Sequence, residues 1–390
     1  MDMIKVQIIS TETIKPSPSI PPHPKAFNLS LFDQKRWSDH LKKSLSKTLA
    51  HFYPFAGQIN KDDAFTIDCN DRGATYVEAQ IEAEMSDVVL NGPEIDMLQR
   101  LLPCDPLEKF ADPSSRVFLA VQVNYFACGG MAIGVCIGHV TADASSTASF
   151  VKSWAATASG VNGINVNSVI YDCTSLFPPI DSTKLQRLME KRMKMRQANP
   201  VMKRFLFDGS KIAALRNKIS MEAKECFSRP TRVEAVSALI WGAVMAMEKT
   251  GNIPMHVAVF PVNLRKIMNP VLPELCIGNI YLPTMATSMM EKNLKHSSLA
   301  GKIHESIKRM KEEYVRKCGE YLNMMIRENF GWGKPVSVGT ALRMNKSAIL
   351  LDASDGQGIE AWIGLTEEEM TKLEQDPEIL AYASFRPSIG

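Results

Sequence analysis

The sequence predicts a mixed fold in which helices and strands are layered together, and three observations lead to this prediction. Segments with helical spacing and segments of alternating or β-branched apolar residues are interspersed along all 390 residues. Hydrophobic residues make up 45% of the chain and charged residues 22%, which provides enough apolar material for a large core. No internal repeat is present in the sequence, and the length suggests two domains or one large domain.

The first part of the chain predicts one helix, one loop and several strands. Apolar residues recur at helical spacing from Leu41 to Phe52, so a helix is predicted there. Pro54 follows at once and ends it. The other patterns of this part predict strands at 4–8, 64–69 and 74–79 and an extended loop at 16–24.

A β-hairpin followed by a helix is predicted next. Residues 116–125 and 131–137 are both rich in apolar and β-branched residues, and Gly129-Gly130 between them suits a tight turn. The small residues that follow predict a helix over 144–156. His139 therefore falls at a junction between a strand and a helix, where a side chain can be exposed and still be held rigidly.

Residues 160–200 are the best candidate for a linker. Asn and Gly are frequent at its start, and two prolines follow at 178 and 179. Residues 184–204 contain eight Lys or Arg residues and one acid, Glu190. We interpret this basic run as a solvated crossover, and a patch that binds phosphate groups is the alternative.

The C-terminal half predicts helices that begin with capping boxes. Thr231 and Glu234 have this spacing before an apolar helix that runs to Met247. Thr366 and Glu369 repeat the spacing before a terminal helix. The other predicted elements are strands at 202–208 and 256–262, helices from 210 onward and over 299–325, and a hairpin of 347–351 with 359–362.

The composition argues against several classes of protein. A net charge of +3 gives no indication of a nucleic acid or an anionic membrane as partner. The eight cysteines form no CxxC pair, so we interpret them as reduced, buried thiols and predict no metal site. The start of the chain lacks a signal-peptide pattern, and the longest apolar stretches are too short to span a bilayer. A cytoplasmic protein is expected.

His139 is the candidate catalytic residue. Asp143 follows it at the fourth position, and none of the other six histidines is followed by an acid at that spacing. An imidazole titrates near neutral pH, which suits a general base. A lone histidine beside an apolar strand is more often structural, so His139 needs a second observation in its favour. The short carboxylate of Asp143, across a turn, need not reach the imidazole.

Two strings together carry a resemblance to a known family. They are His139-Val-Thr-Ala-Asp143 and Asn329-Phe-Gly-Trp-Gly-Lys-Pro335. In this order they resemble the HxxxD and DFGWG motifs of the plant BAHD acyltransferases, which move acyl groups from coenzyme A to alcohols or amines. Other strings of familial type extend the resemblance nearly end to end, closest to the vinorine synthase-like branch: residues 29–34, 53–57, 153–155, 232–235, 262–265, 278–279 and 360–362.

This resemblance implies the α/β, two-domain fold of the coenzyme A-dependent acyltransferases, similar to chloramphenicol acetyltransferase. Mixed sheets flanked by helices would enclose a channel between an N-terminal domain (1–175) and a C-terminal domain (201–390), joined by a crossover linker (176–200). It also implies an O-acyltransferase that moves an acyl group, expected to be acetyl, from acyl-CoA to a hydroxyl of an alkaloid, a terpenoid or another plant specialised metabolite. Acyl-CoA would be a co-substrate, with no permanently bound cofactor, no metal, no nucleic-acid or membrane partner, and a monomeric state.

The resemblance also assigns roles to individual residues. His139 is the general base, and Asp143 points away from the substrates and pairs with Arg265, bracing the loop. The scaffold residues Asn329, Gly331, Trp332 and Gly333 support the site without supplying catalytic groups. Asn329 departs from the family, which has an acid there, so a charge-assisted bond to an arginine would weaken.

Coenzyme A carries phosphates, and the segment Ser228-Arg-Pro-Thr231-Arg232 lies at the start of a predicted helix. Free N–H groups at a helix N-terminus favour anions. The segment resembles the one that lines the cofactor channel in the family, so Ser228, Thr231 and Arg232 are candidates for binding CoA. The capping box alone also explains Thr231.

Two places are shorter than the family pattern. One follows Asp33-Gln34, and the other lies between Gly278-Asn279 and Asn329, where the strand leading into the second motif would be missing. These gaps favour an alternative hypothesis, in which the chain is a catalytically impaired family member that binds a ligand or partner without turnover.

Overall fold

The computed structural model describes residues 6–14, 34–63, 66–90, 94–105, 118–160, 169–171, 200–223, 229–247, 255–268, 271–289, 294–314, 340 and 343–385. In these ranges the strands are β1 (Val6–Ile14), β2 (Gln58–Ile59), β3 (Ile67–Asp68), β4 (Ala74–Ile81), β5 (Leu119–Phe126), β6 (Met131–Ile137), β7 (Val201–Phe207), β8 (Met255–Asn263), β9 (Tyr281–Met289), β10 (Ser347–Asp352), β11 (Ile359–Leu365) and β12 (Ser384–Phe385). The α-helices are α1 (Gln34–His51), α2 (Ile95–Arg100), α3 (Ala144–Ser159), α4 (Gly209–Ala223), α5 (Arg232–Met247), α6 (His296–Tyr314), α7 (Glu367–Glu374) and α8 (Pro377–Tyr382). None of these helices has the length and hydropathy needed to cross a membrane.

The first sheet has the order β1-β4-β5-β6 and carries the predicted hairpin. β5 pairs with β6 in antiparallel register, and β4 pairs with β5 in parallel. The helices α1 and α3 share a core with this sheet, in which Leu45, Phe150 and Trp154 are fully buried. The hairpin and the helix after it are therefore confirmed, with α3 ending three residues later than predicted.

The second sheet has the order β10-β11-β7-β12 and is antiparallel throughout. The predicted hairpin of 347–351 with 359–362 is confirmed as β10 and β11. Ile359, Ala361 and Ile363 alternate along β11 into a core shared with α5, α7 and α8. Gly364 follows Ile363 on β11. The backbone oxygen of Met344 lies so close to it that a Cβ atom would not fit at this position.

Both predicted capping boxes are present. Thr231 N–H donates to Glu234 Oε2 (2.7 Å) and Glu234 N–H donates to Thr231 Oγ1 (3.1 Å) at the start of α5. The same reciprocal pair joins Thr366 and Glu369 at the start of α7. These bonds satisfy amide groups that a helix start would otherwise leave unpaired.

β9 was not predicted from the sequence. Its buried side chains are small or polar, such as Thr284, Ala286 and Ser288, while Met285 and Met289 on its other face are exposed. This inverts the usual pattern, in which the apolar side chains of a half-buried strand face the core. Burial here is possible because α6 supplies polar partners: Thr284 Oγ1 donates to Ser306 O (2.9 Å), and Lys302 Nζ donates to Ser288 Oγ (2.8 Å).

Three sequence predictions need correction. The first helix begins at Gln34, seven residues before the predicted start, because the apolar spacing does not mark its polar first turns. The last two cations of the basic run lie on β7, where Lys203 bonds Glu374 and Arg204 is buried beside Glu360. Two of the cysteines predicted to be buried, Cys69 and Cys128, are exposed. The predicted loop at 16–24 and most of the linker lie outside the described residues.

A charged cluster joins α1 to the first sheet. Lys42 Nζ donates to Glu78 Oε2 (2.9 Å) and also contacts Glu12. Burial alone would raise the pKa of Glu78, but hydrogen bonds from Ser38, Lys42 and Ser10 outweigh it and lower the pKa below its ordinary value. The ionised carboxylate therefore stabilises the folded state.

We expect Glu78→Gln to lower the free energy of unfolding at pH 7 by about 1–3 kcal/mol, the range for a hydrogen-bonded charged group. Because the folded-state pKa is depressed, this stabilisation is present above the unfolded value of 4.5 and is lost as the pH falls through the folded value. Urea unfolding at several pH values measures the difference. The exposed Glu84→Gln serves as control, and an equal loss at pH 3 and pH 7 would contradict the prediction.

Candidate active site

His139 lies in a short turn between β6 and α3. Gly138 N–H extends the ladder by donating to Phe118 O (2.8 Å), and Thr141 then donates to Gly138 O from its backbone (2.9 Å) and its hydroxyl (2.8 Å). α3 begins at Ala144. The turn places the His139 side chain at the surface, as the sequence predicts for this junction.

Asp143 is buried and makes no hydrogen bond to His139. Its carboxylate caps α3 by accepting from Ser146 N–H (2.8 Å), and it accepts from Ile280 N–H (3.0 Å) in the strand-side segment that precedes β9. Two more hydrogen bonds to the carboxylate come from the guanidinium of Arg265. The carboxylate thus accepts hydrogen bonds from four N–H groups, none of them from His139, and a His–Asp dyad is not formed.

Arg265 makes the contact with Asp143 that the resemblance implies. Nη1 donates to Asp143 Oδ2 (2.8 Å) and Nη2 donates to Oδ1 (3.2 Å), which is a bidentate ion pair. The guanidinium also donates to Cys276 O (2.8 Å) and Gly278 O (3.0 Å). Arg265 is 2% exposed, so the pair is shielded from solvent.

Three further residues at this junction were not assigned as site residues from the sequence. Ser146 Oγ donates to Gly278 O (2.9 Å), and Gly278 N–H donates back to Ser146 Oγ (3.0 Å). Gly278 has φ 144, a backbone conformation that favours glycine. Asn279 Nδ2 donates to His139 O (2.6 Å) and to Val140 O (3.2 Å). The familial string Gly278-Asn279 was the available signal, but the sequence alone gave it no partner.

The imidazole of His139 faces the start of β9. Its ring centroid lies 6.0 Å from that of Tyr281, at an interplanar angle of 54°. In the part of the chain that the structure describes, the imidazole makes no hydrogen bond. Asn279 holds the backbone of this residue, and both ring nitrogens are without a hydrogen-bond partner among the described residues.

Thr231 and Arg232 lie at the start of α5, and both have partners within the protein. Thr231 takes part in the capping box. Arg232 Nη2 donates to Asp352 Oδ1 (2.9 Å), and Nη1 donates to Gly356 O (3.0 Å) and Gln357 O (2.9 Å) in the loop between β10 and β11. These contacts explain both residues structurally, so their binding of CoA stays a prediction.

Two arginines that the sequence analysis did not single out stand beside Arg232. Arg216 Nε donates to Pro230 O (2.6 Å), and Arg229 Nη2 donates to Asn217 Oδ1 (2.9 Å). Burial, and then the positive charges of Arg229 and Arg232, lower the pKa of Arg216. Three cations thus lie near the start of α5 together with two carboxylates, because Glu234 opposes the lowering at Arg216 and Asp352 is paired with Arg232. The candidates Ser228, Asn329, Gly331, Trp332 and Gly333 lie outside the described residues.

His139 is exposed, its backbone is held by Asn279, and its imidazole makes no hydrogen bond to the described residues. A general base in an acyl-transfer enzyme needs an imidazole that is accessible in this way. The model of the Transferase family matches residues 28–328 and 321–380, and the chain belongs to this family, that of the BAHD acyltransferases. The chain is therefore an acyltransferase, of enzyme class EC 2.3.1, and its fold class is that of the family.

Relatives and solved structures support this membership. Limonoid 21-O-acetyltransferase of Melia azedarach is 40% identical over 434 residues, which cover 99% of this chain and 100% of the relative. The crystal structure of vinorine synthase, a Rauvolfia serpentina protein, matches with a TM-score of 0.75 at 32% identity and covers 98% of this chain and 99% of its own. F. sporotrichioides TRI101, solved with coenzyme A and T-2, shares the fold with a TM-score of 0.70 at 15% identity, covering 97% of this chain and 95% of its own.

The comparisons also bear on the shortened places. The 434 aligned residues exceed the 390 of this chain, so the limonoid acetyltransferase contains residues that have no counterpart here. The family match is divided near residues 321–328, just before the second motif, where the sequence predicts a missing segment. The alternative hypothesis of an impaired, non-catalytic protein gains no support from its relatives, which are acetyltransferases.

Proposed function

We propose that the protein transfers an acetyl group from acetyl-CoA to a hydroxyl group of a plant specialised metabolite, with His139 as the general base. The observation that carries this proposal is the exposed imidazole of His139, free of hydrogen bonds in the described part of the chain, on a backbone held by Asn279. The names of relatives that act on limonoids and on stemmadenine support a terpenoid or alkaloid acceptor.

The reaction needs few groups from the protein. The imidazole of His139 accepts the proton of the acceptor hydroxyl as its oxygen attacks the thioester carbonyl. A C–O bond forms, the tetrahedral intermediate collapses, and the C–S bond breaks. The CoA thiolate then takes the proton from the imidazolium, so that CoA–SH leaves and His139 is neutral again. No covalent intermediate with the enzyme is required.

Asp143 and Arg265 serve as positioning residues in this proposal. The carboxylate holds the first turn of α3, and the guanidinium holds the carbonyl groups of Cys276 and Gly278. The ion pair thereby fixes the turn that carries His139 against the segment before β9. In the proposed division into domains 1–175 and 201–390, joined by 176–200, Asp143 belongs to the first domain and Arg265 to the second, so their ion pair would join the two domains beside the channel.

The arginine cluster supports binding of CoA phosphates by Ser228, Thr231 and Arg232 at the start of α5. A phosphate would offset the mutual repulsion of Arg216, Arg229 and Arg232. Glu234 opposes this role, because its buried carboxylate already accepts from the Thr231 amide. Substitution of one arginine of the cluster can decide whether the cluster binds a phosphate of CoA.

We expect Arg229→Gln to raise the KM for acetyl-CoA by about three- to tenfold, the effect of losing one partly exposed contact with a phosphate. The KM for acetyl-pantetheine, which lacks the nucleotide phosphates, should not change. Steady-state kinetics with acetyl-CoA and with acetyl-pantetheine measures both KM values in the parent and the variant. Arg72→Gln, which removes an exposed arginine from the turn before β4, is the matched control. Equal changes for both donors would count against a phosphate contact.

A turnover assay tests the proposed function directly. Purified protein is incubated with acetyl-CoA and a panel of alcohols, and release of CoA thiol and of acetyl ester is followed. Ester formation supports the proposal, whereas binding of alcohols without any ester favours the alternative of an impaired binding protein. The cytoplasmic location and the monomeric state stay predictions, which fractionation of plant tissue and light scattering can test.

A further inference from the structure

The pair of strands β8 and β9 has one face packed on the core and one face exposed. Cross-strand partners in a sheet share a face, and successive residues alternate between faces. The buried face holds Ala258, Phe260 and Ala286 against the core around α6. The exposed face consists of four directly paired couples: Met255 with Met289, Val257 with Thr287, Val259 with Met285, and Pro261 with Pro283.

This exposed face is apolar and uncharged. Val259 is 55% and Met285 60% exposed, and Thr287 is the one polar residue among the eight that form the face. Two paired strands of nine residues extend for roughly 30 Å at about 3.4 Å per residue. Contiguous apolar surfaces of this kind mark binding sites more often than isolated exposed residues do.

The apolar face leads directly to the candidate general base. Asn263 pairs with Tyr281 next to the four couples, and by alternation these two half-buried polar residues lie on the same side of the strands, at the end of the apolar face. The Tyr281 ring lies 6.0 Å from the His139 ring. A molecule lying on this face would therefore have one end at the imidazole.

We propose that the exposed face of β8 and β9 binds the hydrocarbon skeleton of the acyl acceptor, and that this acceptor is a neutral polycyclic alcohol of the terpenoid type. This inference rests on the proposed function. A protonated amine would find no carboxylate on this face to offset its loss of hydration. The phosphates of coenzyme A would find no cation there, so the nucleotide is not the occupant.

Two bicyclic alcohols of similar size provide the test, because borneol is neutral and tropine carries a protonated amine at pH 7. The parent protein, Met285→Gln and Val259→Thr are assayed with acetyl-CoA and each alcohol. Met221→Gln is the matched control, since Met221 is 80% exposed and belongs to α4, so it is not one of the residues that form this face. All these positions are exposed, and Val259→Thr keeps a β-branched side chain, so the variants should fold as the parent does.

We expect the parent to acetylate borneol with a kcat/KM at least about tenfold above that for tropine. Each β8 or β9 substitution should raise the KM for borneol about fivefold, as when roughly 40 Å² of apolar contact is lost, and leave the KM for acetyl-CoA unchanged. Met221→Gln should match the parent.

Other results would overturn the inference. An unchanged KM for borneol in both variants would reject binding of the acceptor on this face and leave the proposed function intact. A parent that prefers tropine to borneol would do the same. A parent dimer that dissociates on Met285→Gln, seen by light scattering, assigns the face to a second copy of the chain. If the β8 or β9 variants have a lower melting temperature and an unchanged KM, another part of the chain covers this face. A parent that acetylates neither these alcohols nor any other in the panel overturns the proposed function as well.

Discussion

Replacement of His139 by alanine should abolish acyl transfer and leave the fold intact. Loss of a general base costs about two to four orders of magnitude in rate. The stability cost should be small, because the side chain is exposed and makes no hydrogen bond to the described residues. Asn279 bonds the backbone of residues 139 and 140, so the turn keeps its anchor in the variant. The loss should therefore appear in kcat, with little change in the KM for acetyl-CoA.

The measurement is kcat with acetyl-CoA and the best alcohol of the panel, together with a thermal melt. His139→Gln provides a second variant that preserves side-chain volume, and it should be equally inactive. His51→Ala, at the end of α1, is the control for loss of a histidine elsewhere and should keep the parental rate. If His139→Ala retains near-parental turnover, another group accepts the proton and the assignment of the base is wrong.

Replacement of Asp143 or Arg265 by alanine should have the largest effect on stability. Each change leaves one charge of a buried bidentate pair without its partner, which costs about 3–5 kcal/mol. Asp143 is 5% exposed and Arg265 2% exposed, so water cannot replace the lost contacts without opening the junction. The double variant should be less destabilised than the sum of the two single changes, because neither charge is left alone.

Urea unfolding of the parent, both single variants and the double variant forms the thermodynamic cycle. Asp376→Ala is the matched control, because Asp376 also caps a helix, accepting from Glu378 and Ile379 amides, but forms no ion pair among the described residues. Its loss should cost only about 1 kcal/mol. Asp143→Asn separates the two roles, since it keeps an oxygen for the cap and removes the charge. Strict additivity in the cycle would reject the pairing as a source of stability.

Much of the local structure could be predicted from patterns in the sequence. The hairpin of β5 and β6 and both capping boxes depend on residues close together in the chain, where spacing and turn residues are informative. β9 could not be predicted, because its small and polar side chains are the buried ones. The partners of these side chains are on α6, and no local pattern contains that information.

The candidate site shows the same limit more strongly. His139 stood out through its position at a junction and its spacing to Asp143, but the ion pair with Arg265 joins residues 122 positions apart. That partner came from the family resemblance, since spacing within one sequence does not reveal a contact of this separation. Asn279 and the cations Arg216 and Arg229 were missed for the same reason, because each is defined by neighbours that only the folded chain provides.

The bonds from Asn279 to the turn at His139 have a consequence for how the protein matures on the ribosome. A growing chain has completed β6 and α3 long before residues 265–280 emerge, so the turn that carries His139 is made early and is supported late. Contacts of such long sequence separation form slowly and leave partly folded chains exposed to aggregation. Nascent or prematurely ended chains that stop before residue 265 would therefore contain the histidine and its first sheet and still be inactive. On the proposed roles of His139, Asp143 and Arg265, catalytic competence would be one of the last properties that the protein acquires as it is synthesised.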